Sequence, residues 1–152
     1  MSVLRTTLFT LMWLFAGVGA TVAAADSSAA APAFEPAHKV VIQVSSGDPK
    51  VQRLAINNAV NLQKAYGIDN VRIELVAYGP GLSILTPKGG EAQRVKSLAE
   101  QNIRFSACRN TMTHIERKTG KTPRLVEGVK VVRAGVARII ELQESGYSYV
   151  RP

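Results

Sequence analysis

One cysteine, Cys108, is all the thiol that the 152-residue chain holds. A lone cysteine closes no internal disulfide, which excludes the disulfide-stapled scaffolds of small secreted proteins. Histidine is almost as scarce, with His38 and His114 the only two. Together with one cysteine they do not make up a metal-ligand set within a chain, so neither a metal nor a cofactor is expected. Aromatic residues are 6% of the chain, and the basic residues, 19 against 11 acidic, are scattered singly with Arg117-Lys118 the one adjacent pair. A nucleic-acid surface calls for basic runs interleaved with stacking aromatics, so nucleic acid is not an expected partner. The net charge of +8 reads instead as a solvated surface that favours anions. No apolar run reaches the roughly 20 residues of a membrane-spanning helix.

The most apolar stretch, Leu8–Val18, follows Arg5 and precedes the small residues Ala23-Ala24-Ala25. Basic start, apolar run and A-x-A site in that order are the pattern of a secretory signal peptide. Residues 1–25 are therefore expected to be cleaved after Ala25, giving an exported, periplasmic protein with no membrane attachment. A retained N-terminal anchor is the alternative. Residues 26–38 (DSSAAAPAFEPAH) have the composition of a flexible linker, and His38 at their end has no neighbour for a ligand role. Removal of residues 1–25 leaves 127 residues with 18 basic and 11 acidic side chains, net +7. That length can bury a substantial core.

From Lys39 onward the periodicities alternate. Lys39–Ser45 is rich in β-branched residues, as a buried parallel strand is. Ser46-Gly47 turns the chain, and Asp48 and Pro49 suit the start of a helix whose apolar stripe is Val51, Leu54, Ala55, Ala59 and Leu62. Ile56 and Val60 widen that stripe, which suggests a second buried contact, such as one with another subunit. Gly67 ends the helix. Val71–Tyr78 is a second strand, and Gly79-Pro80-Gly81 reads as a sharp turn leaving it, followed by an extended Leu82–Leu85. A phosphate-binding loop is disfavoured there because no Lys-Ser/Thr follows. Glu91–Gln101 is helical, with Asn102 as a left-handed cap. Pro123 to Gly128 connects, with Leu125 and Val126 buried. Val129–Val132 is a short strand, Ala134–Ser145 a helix capped by Gly146, and Tyr147–Val150 a last strand. The alternation predicts an α/β fold: a single-domain three-layer sandwich of about five mostly parallel strands with helices on both faces.

Between these lies Ile103–Thr113, IRFSACRNTMT. Ile103, Phe105 and Ala107 alternate with Arg104 and Ser106, the period of a strand with one face buried. Asn110 and Thr111 then suit a helix start, with Met112 and Ile115 three apart on one face. Cys108 is thus placed at a strand-to-helix junction, where free N–H groups and the helix dipole favour an anion and lower a thiol's pKa. Arg109 adds a cation. The other reading is a small, inert, buried apolar residue. His114, six residues on, is rotated off the cysteine's face, which argues against a Cys–His pair. In parallel sheets reactive groups gather at the carboxyl ends of strands. Cys108, the Ser46-Gly47-Asp48 turn and the loop carrying Gly79 and Gly81 are all placed there, so three loops are expected on one rim.

VVIQVSSGDP, the helix containing Asn57-Asn58-Ala59, the strand into VAYGPGL, FSACRNTM around the cysteine and GVARIIELQESGYSYVRP, in this order, resemble the DsrE/DsrF-like proteins of the sulfur-relay superfamily. The resemblance covers nearly all of residues 39–152. It implies a five-stranded parallel α/β sandwich assembled into trimers, hexamers or other oligomers. It also implies that Cys108 carries sulfur as a persulfide and passes it to a partner, with Arg109, Asn110 and Thr111 as supporting, anion-binding neighbours. The relay members are cytoplasmic, whereas this chain opens on an export-type segment.

Three functions follow. The first is an exported persulfide carrier, or sulfurtransferase-like relay component, that works through Cys108 with a sulfur donor and an acceptor protein. The second is a non-catalytic oligomeric module whose rim loops hold a small ligand or partner, since fold does not imply function. The third is a thiol redox or metal-handling protein in which a symmetric oligomer gathers several copies of Cys108. Cys108→Ser separates the second from the other two.

Overall fold

The structure, a computed structural model, describes residues 35–152. The expected signal peptide (1–25), its cleavage after Ala25 and residues 26–34 of the expected linker (26–38) lie outside the described residues, and His38, expected at the end of that linker, instead begins the first strand. Among those residues no helix is long and apolar enough to cross a membrane.

Five strands form one sheet: β1 (His38–Val44), β2 (Val71–Ala77), β3 (Ile103–Cys108), β4 (Lys130–Val132) and β5 (Ser148–Val150), in the order β4-β3-β2-β1-β5. Every neighbouring pair is parallel. The central strands are buried on both faces, which explains the near-continuous apolar runs VVIQV and IELVA. Around the sheet lie α1 (Pro49–Tyr66), a 3-10 helix (Gly79–Leu85), α2 (Ala92–Ala99), α3 (Arg109–Thr119) and α4 (Gly135–Glu144).

The helices are shared unequally between the two faces. One face packs Val40, Ile42, Val44, Ile73, Leu75, Ile103 and Phe105 against α1, the 3-10 helix, α2 and α3. The other carries the smaller cluster of Val41 and Val76 beneath Ile139 and Leu142 of α4 alone. The connection from β4 through α4 to β5 returns across the sheet to pair with β1, so α4 occupies the face that the other helices leave open.

Two local expectations are corrected. Gly79-Pro80-Gly81 is not a turn into an extended segment: residues 79–85 form one continuous 3-10 helix with Gly81, Leu82, Ile84 and Leu85 buried. The proline sets a helical φ in its first turn, and Gly81 lets the helix press on β1. A Cβ on Gly81 would lie 2.2 Å from the Val44 carbonyl oxygen. On α1 the buried face is Gln52, Ala55, Ile56 and Ala59, while Leu54 is 49% exposed. The stripe is rotated because Gln52 turns inward, where its amide donates to the Ser46 carbonyl and to Ser83 Oγ. Ile56 belongs to the core of the domain itself, with Val60 packed against it.

Other boundaries follow their local chemistry. The Asp48 side chain accepts from Lys50 N at 2.8 Å and caps α1 behind Pro49. Asn102 adopts φ 64° between α2 and β3, and Gly120, at φ 71°, ends α3. Leu125 and Val126 are half-buried against the core.

Candidate functional site

Cys108 is the last residue of β3 and caps the N-terminus of α3. Its backbone pairs with Val132, the last residue of β4. The helices that follow these two neighbouring strands leave on opposite faces: Met112 and Ile115 of α3 pack on the larger core, and Ile139 and Leu142 of α4 on the smaller. Chains that diverge in this way open a crevice between the carboxyl ends of the strands, with a helix N-terminus on each side. Cys108 is buried at this point, at the end of β3.

Cys108 as a residue is 5% exposed. Burial alone pushes its thiol up, since the interior disfavours an anion. The backbone N–H groups of Thr111, Gly135 and Asn110 and the hydroxyl of Thr111 more than offset that burial, holding the thiol below its ordinary range. Thr111 and Asn110 are the start of α3, and Gly135 is the first residue of α4. Two helix N-termini therefore supply the donors that a thiolate, or a persulfide anion in its place, accepts.

Of the predicted neighbours, Asn110 and Thr111 are at the sulfur. Thr111 does double duty, because its Oγ1 also accepts from Gly79 N at 2.9 Å and ties the 3-10 helix to α3. Arg109, expected as an adjacent cation, is exposed, and the groups that lower the thiol are the donors of Thr111, Gly135 and Asn110. Ser46, Gly47, Asp48, Gly79 and Gly81 do share the rim. Gly81 N donates to the Ser45 carbonyl, and a Cβ on Gly47 would lie 3.3 Å from Pro80 Cβ. Each makes local structural contacts there: Ser46 Oγ accepts from Asp48 N, Asp48 caps α1, and Gly81 allows close backbone packing. His114 is exposed on α3, away from the sulfur. Among the described residues no group of three or more His, Cys, Asp or Glu side chains is placed to hold a metal.

Three residues that the sequence reading passed over hold the site together. Gly135 is required because a Cβ there would lie 2.9 Å from Tyr78 Cδ1. Arg138, one turn into α4, donates from Nε and Nη2 to the two oxygens of Glu74, each at 2.8 Å. Ser106 Oγ donates to Glu74 Oε1 at 2.7 Å, and Arg104 stands 3.6 Å from Oε2. Burial raises the Glu74 carboxyl, but the Arg138 guanidinium, the Ser106 hydroxyl and Arg104 together hold it below the usual carboxylate range. An acid between Ile73 and Leu75, in the apolar and buried part of the strand, was the available signal. These groups line a hollow of about 590 Å³ that runs along β3 and β4 and includes Lys130, Arg133 and Ala134.

Comparison with known proteins gives a consistent picture. The model of the DsrE/DsrF-like family matches residues 38–152. The solved structure of MTH1491, a protein of unknown function from Methanobacterium thermoautotrophicum, is similar at 35% identity and TM-score 0.68, over 76% of this chain and 99% of that one. The ychN protein from E. coli shares the fold at 18% identity and TM-score 0.59, over the same fractions. A search of curated proteins finds no match.

Proposed function

Because the chain belongs to the DsrE/DsrF-like family, a sulfur-relay superfamily, we propose that it is a persulfide carrier acting through Cys108. The observation that supports this reading is the setting of Cys108, at the N-terminus of α3 and beside the strand that leads into α4, where nearby N–H groups lower the thiol. The Cys108 thiolate attacks the outer sulfur of a donor hydropersulfide, R–S–SH. The S–S bond of the donor breaks, RS⁻ leaves, and Cys108–S–SH forms. An acceptor thiolate then attacks that outer sulfur, taking it as its own persulfide and returning Cys108 as thiolate. No electron is gained or lost overall, as in disulfide exchange. Thr111, Asn110 and Gly135 stabilise the sulfur anion at both stages.

The carrier works as an exported, periplasmic homo-oligomer, a trimer or hexamer, that meets separate donor and acceptor proteins. Export is supported by the basic start, apolar run and A-x-A site of residues 1–25. Association is supported by Val136 and Ile140, four apart on α4 and 54% and 52% exposed, which give that helix an unburied apolar edge. Incubation with a small-molecule hydropersulfide, followed by intact mass measurement, tests the proposal. One added sulfur on the wild type, lost to an added thiol and absent in Cys108→Ser, is the expected result. A folded wild-type protein that takes up no sulfur contradicts it.

A further inference from the structure

On the far side of Asn110 and Thr111 from the sulfur lies a larger cavity, of about 1130 Å³, between the 3-10 helix, α3 and residues 119–124. Its apolar wall includes Pro80, Leu82, Ile115 and Pro123. Leu82 and Ile115 belong to or pack on the main core, so this wall is anchored in the fold. Lys88, Lys118, Lys121 and Arg124 stand around it, and no aspartate or glutamate lines it. All four are exposed, and none makes an ion pair among the described residues. Glu116, a nearby acid on α3, accepts a hydrogen bond from Thr122, a lining residue, but does not itself line the cavity.

Four like charges around one hollow, with no counter-charge among its lining residues, repel one another and attract an anion. The apolar wall adds a second requirement. A bare inorganic ion would leave that wall facing water, and a neutral apolar molecule would leave the four cations unanswered. A ligand that meets both has an apolar body and an acidic head. The volume, about 1130 Å³, exceeds the roughly 300–1,000 Å³ usual for small-molecule sites, so an apolar body of about ten carbons enters with room to spare.

We propose that this cavity is a binding site for amphipathic organic anions, compounds with an apolar chain or ring system ending in a carboxylate, sulfonate or phosphate. The site is independent of the persulfide chemistry, since none of the four cations touches Cys108. It shares one wall with the reactive centre, because Asn110 and Thr111 line the cavity and also turn their N–H groups to the sulfur.

Titration of the full chain with decanoate below its micelle concentration, followed by calorimetry, tests the proposal. Saturable binding with one site per chain is expected, about tenfold tighter than for octanoate because two methylenes are buried. The K118A/R124A double variant, in which both changes are at exposed positions, should bind decanoate several-fold to tenfold more weakly. Decanol and inorganic phosphate, each offering one half of the ligand, should bind far more weakly than decanoate. Cys108→Ser should bind decanoate as the wild type does, so this test stands or falls apart from sulfur transfer. The proposal is overturned if decanoate does not saturate, if decanol or phosphate binds equally well, or if K118A/R124A leaves the affinity unchanged.

Discussion

Arg138 and Glu74, 64 residues apart, are joined by two parallel hydrogen bonds of 2.8 Å that fasten the start of α4 to β2, the central strand of the sheet. The pair is part of the reactive centre's support, because the N–H of Gly135, at the head of the same helix turn, is one of the groups turned on Cys108. A planar guanidinium fork holds the position and orientation of α4 in a way that apolar contacts alone do not.

Arg138→Met removes the fork and leaves Glu74 buried with only Ser106 and Arg104. The expected loss is about 3 kcal/mol in urea unfolding at neutral pH, as for other buried pairs broken on one side. Replacing both members with methionine should recover most of it. The pH dependence has a definite sign. The folded Glu74 carboxyl lies below its unfolded value, so its contribution is present above the unfolded pKa of about 4.3 and fades as the pH falls through the lower folded value. Wild-type stability should therefore drop in that acid window, and the drop should be smaller in the double methionine variant.

Thr111→Val takes a donor from the sulfur and an acceptor from Gly79 N at once. The unfolding free energy should fall by about 1 kcal/mol. The pH midpoint for alkylation of Cys108 should rise, and Thr111→Ser should restore both. A midpoint unmoved by the valine would show that the hydroxyl does not serve the thiol.

Gly135→Ala places a methyl group against the ring of Tyr78. Relief requires the ring or the start of α4 to shift, and the second movement draws an N–H away from Cys108. The expected result is a folded protein with a raised alkylation midpoint. Adding Tyr78→Ala, which clears the space, should bring the midpoint back toward the wild type.

Gly81→Ala meets backbone rather than a side chain, with the new Cβ 2.2 Å from the Val44 carbonyl oxygen. The 3-10 helix and β1 cannot both keep their places. A loss of more than about 3 kcal/mol is expected in thermal or urea unfolding. A mild effect would mean that this helix is not packed as described.

The order of strands and helices was legible because each element obeys one period and is closed by identifiable residues. Asp48-Pro49 starts α1, and Gly67 and Gly120 end helices at positive φ. The junction at Cys108 was legible for the same reason. What escaped was anything set by side chains meeting across the sheet. Leu54 fits the helical stripe of α1 as well as any residue, and only the inward turn of Gln52 toward Ser46 and Ser83 excludes it. The 3-10 helix looked like a turn because Gly-Pro-Gly favours both, and its length depends on burying Leu82, Ile84 and Leu85. Gly135 lies 27 positions beyond Cys108, and no local pattern says that β4 ends beside β3. Only the register Cys108 to Val132 brings the second helix to the sulfur.

A carrier role for Cys108 requires that the fold turn a buried thiol into a holder of negative charge. Titration of the Cys108 thiolate by its ultraviolet absorbance, in the folded chain and in the same chain unfolded in urea, tests this most directly, with Cys108→Ser as the blank. The folded midpoint should lie below the unfolded one, because the N–H groups of Thr111, Gly135 and Asn110 outweigh the cost of burial. A folded midpoint at or above the unfolded value would mean that burial prevails, and Cys108 would then be a structural residue rather than a carrier of sulfur.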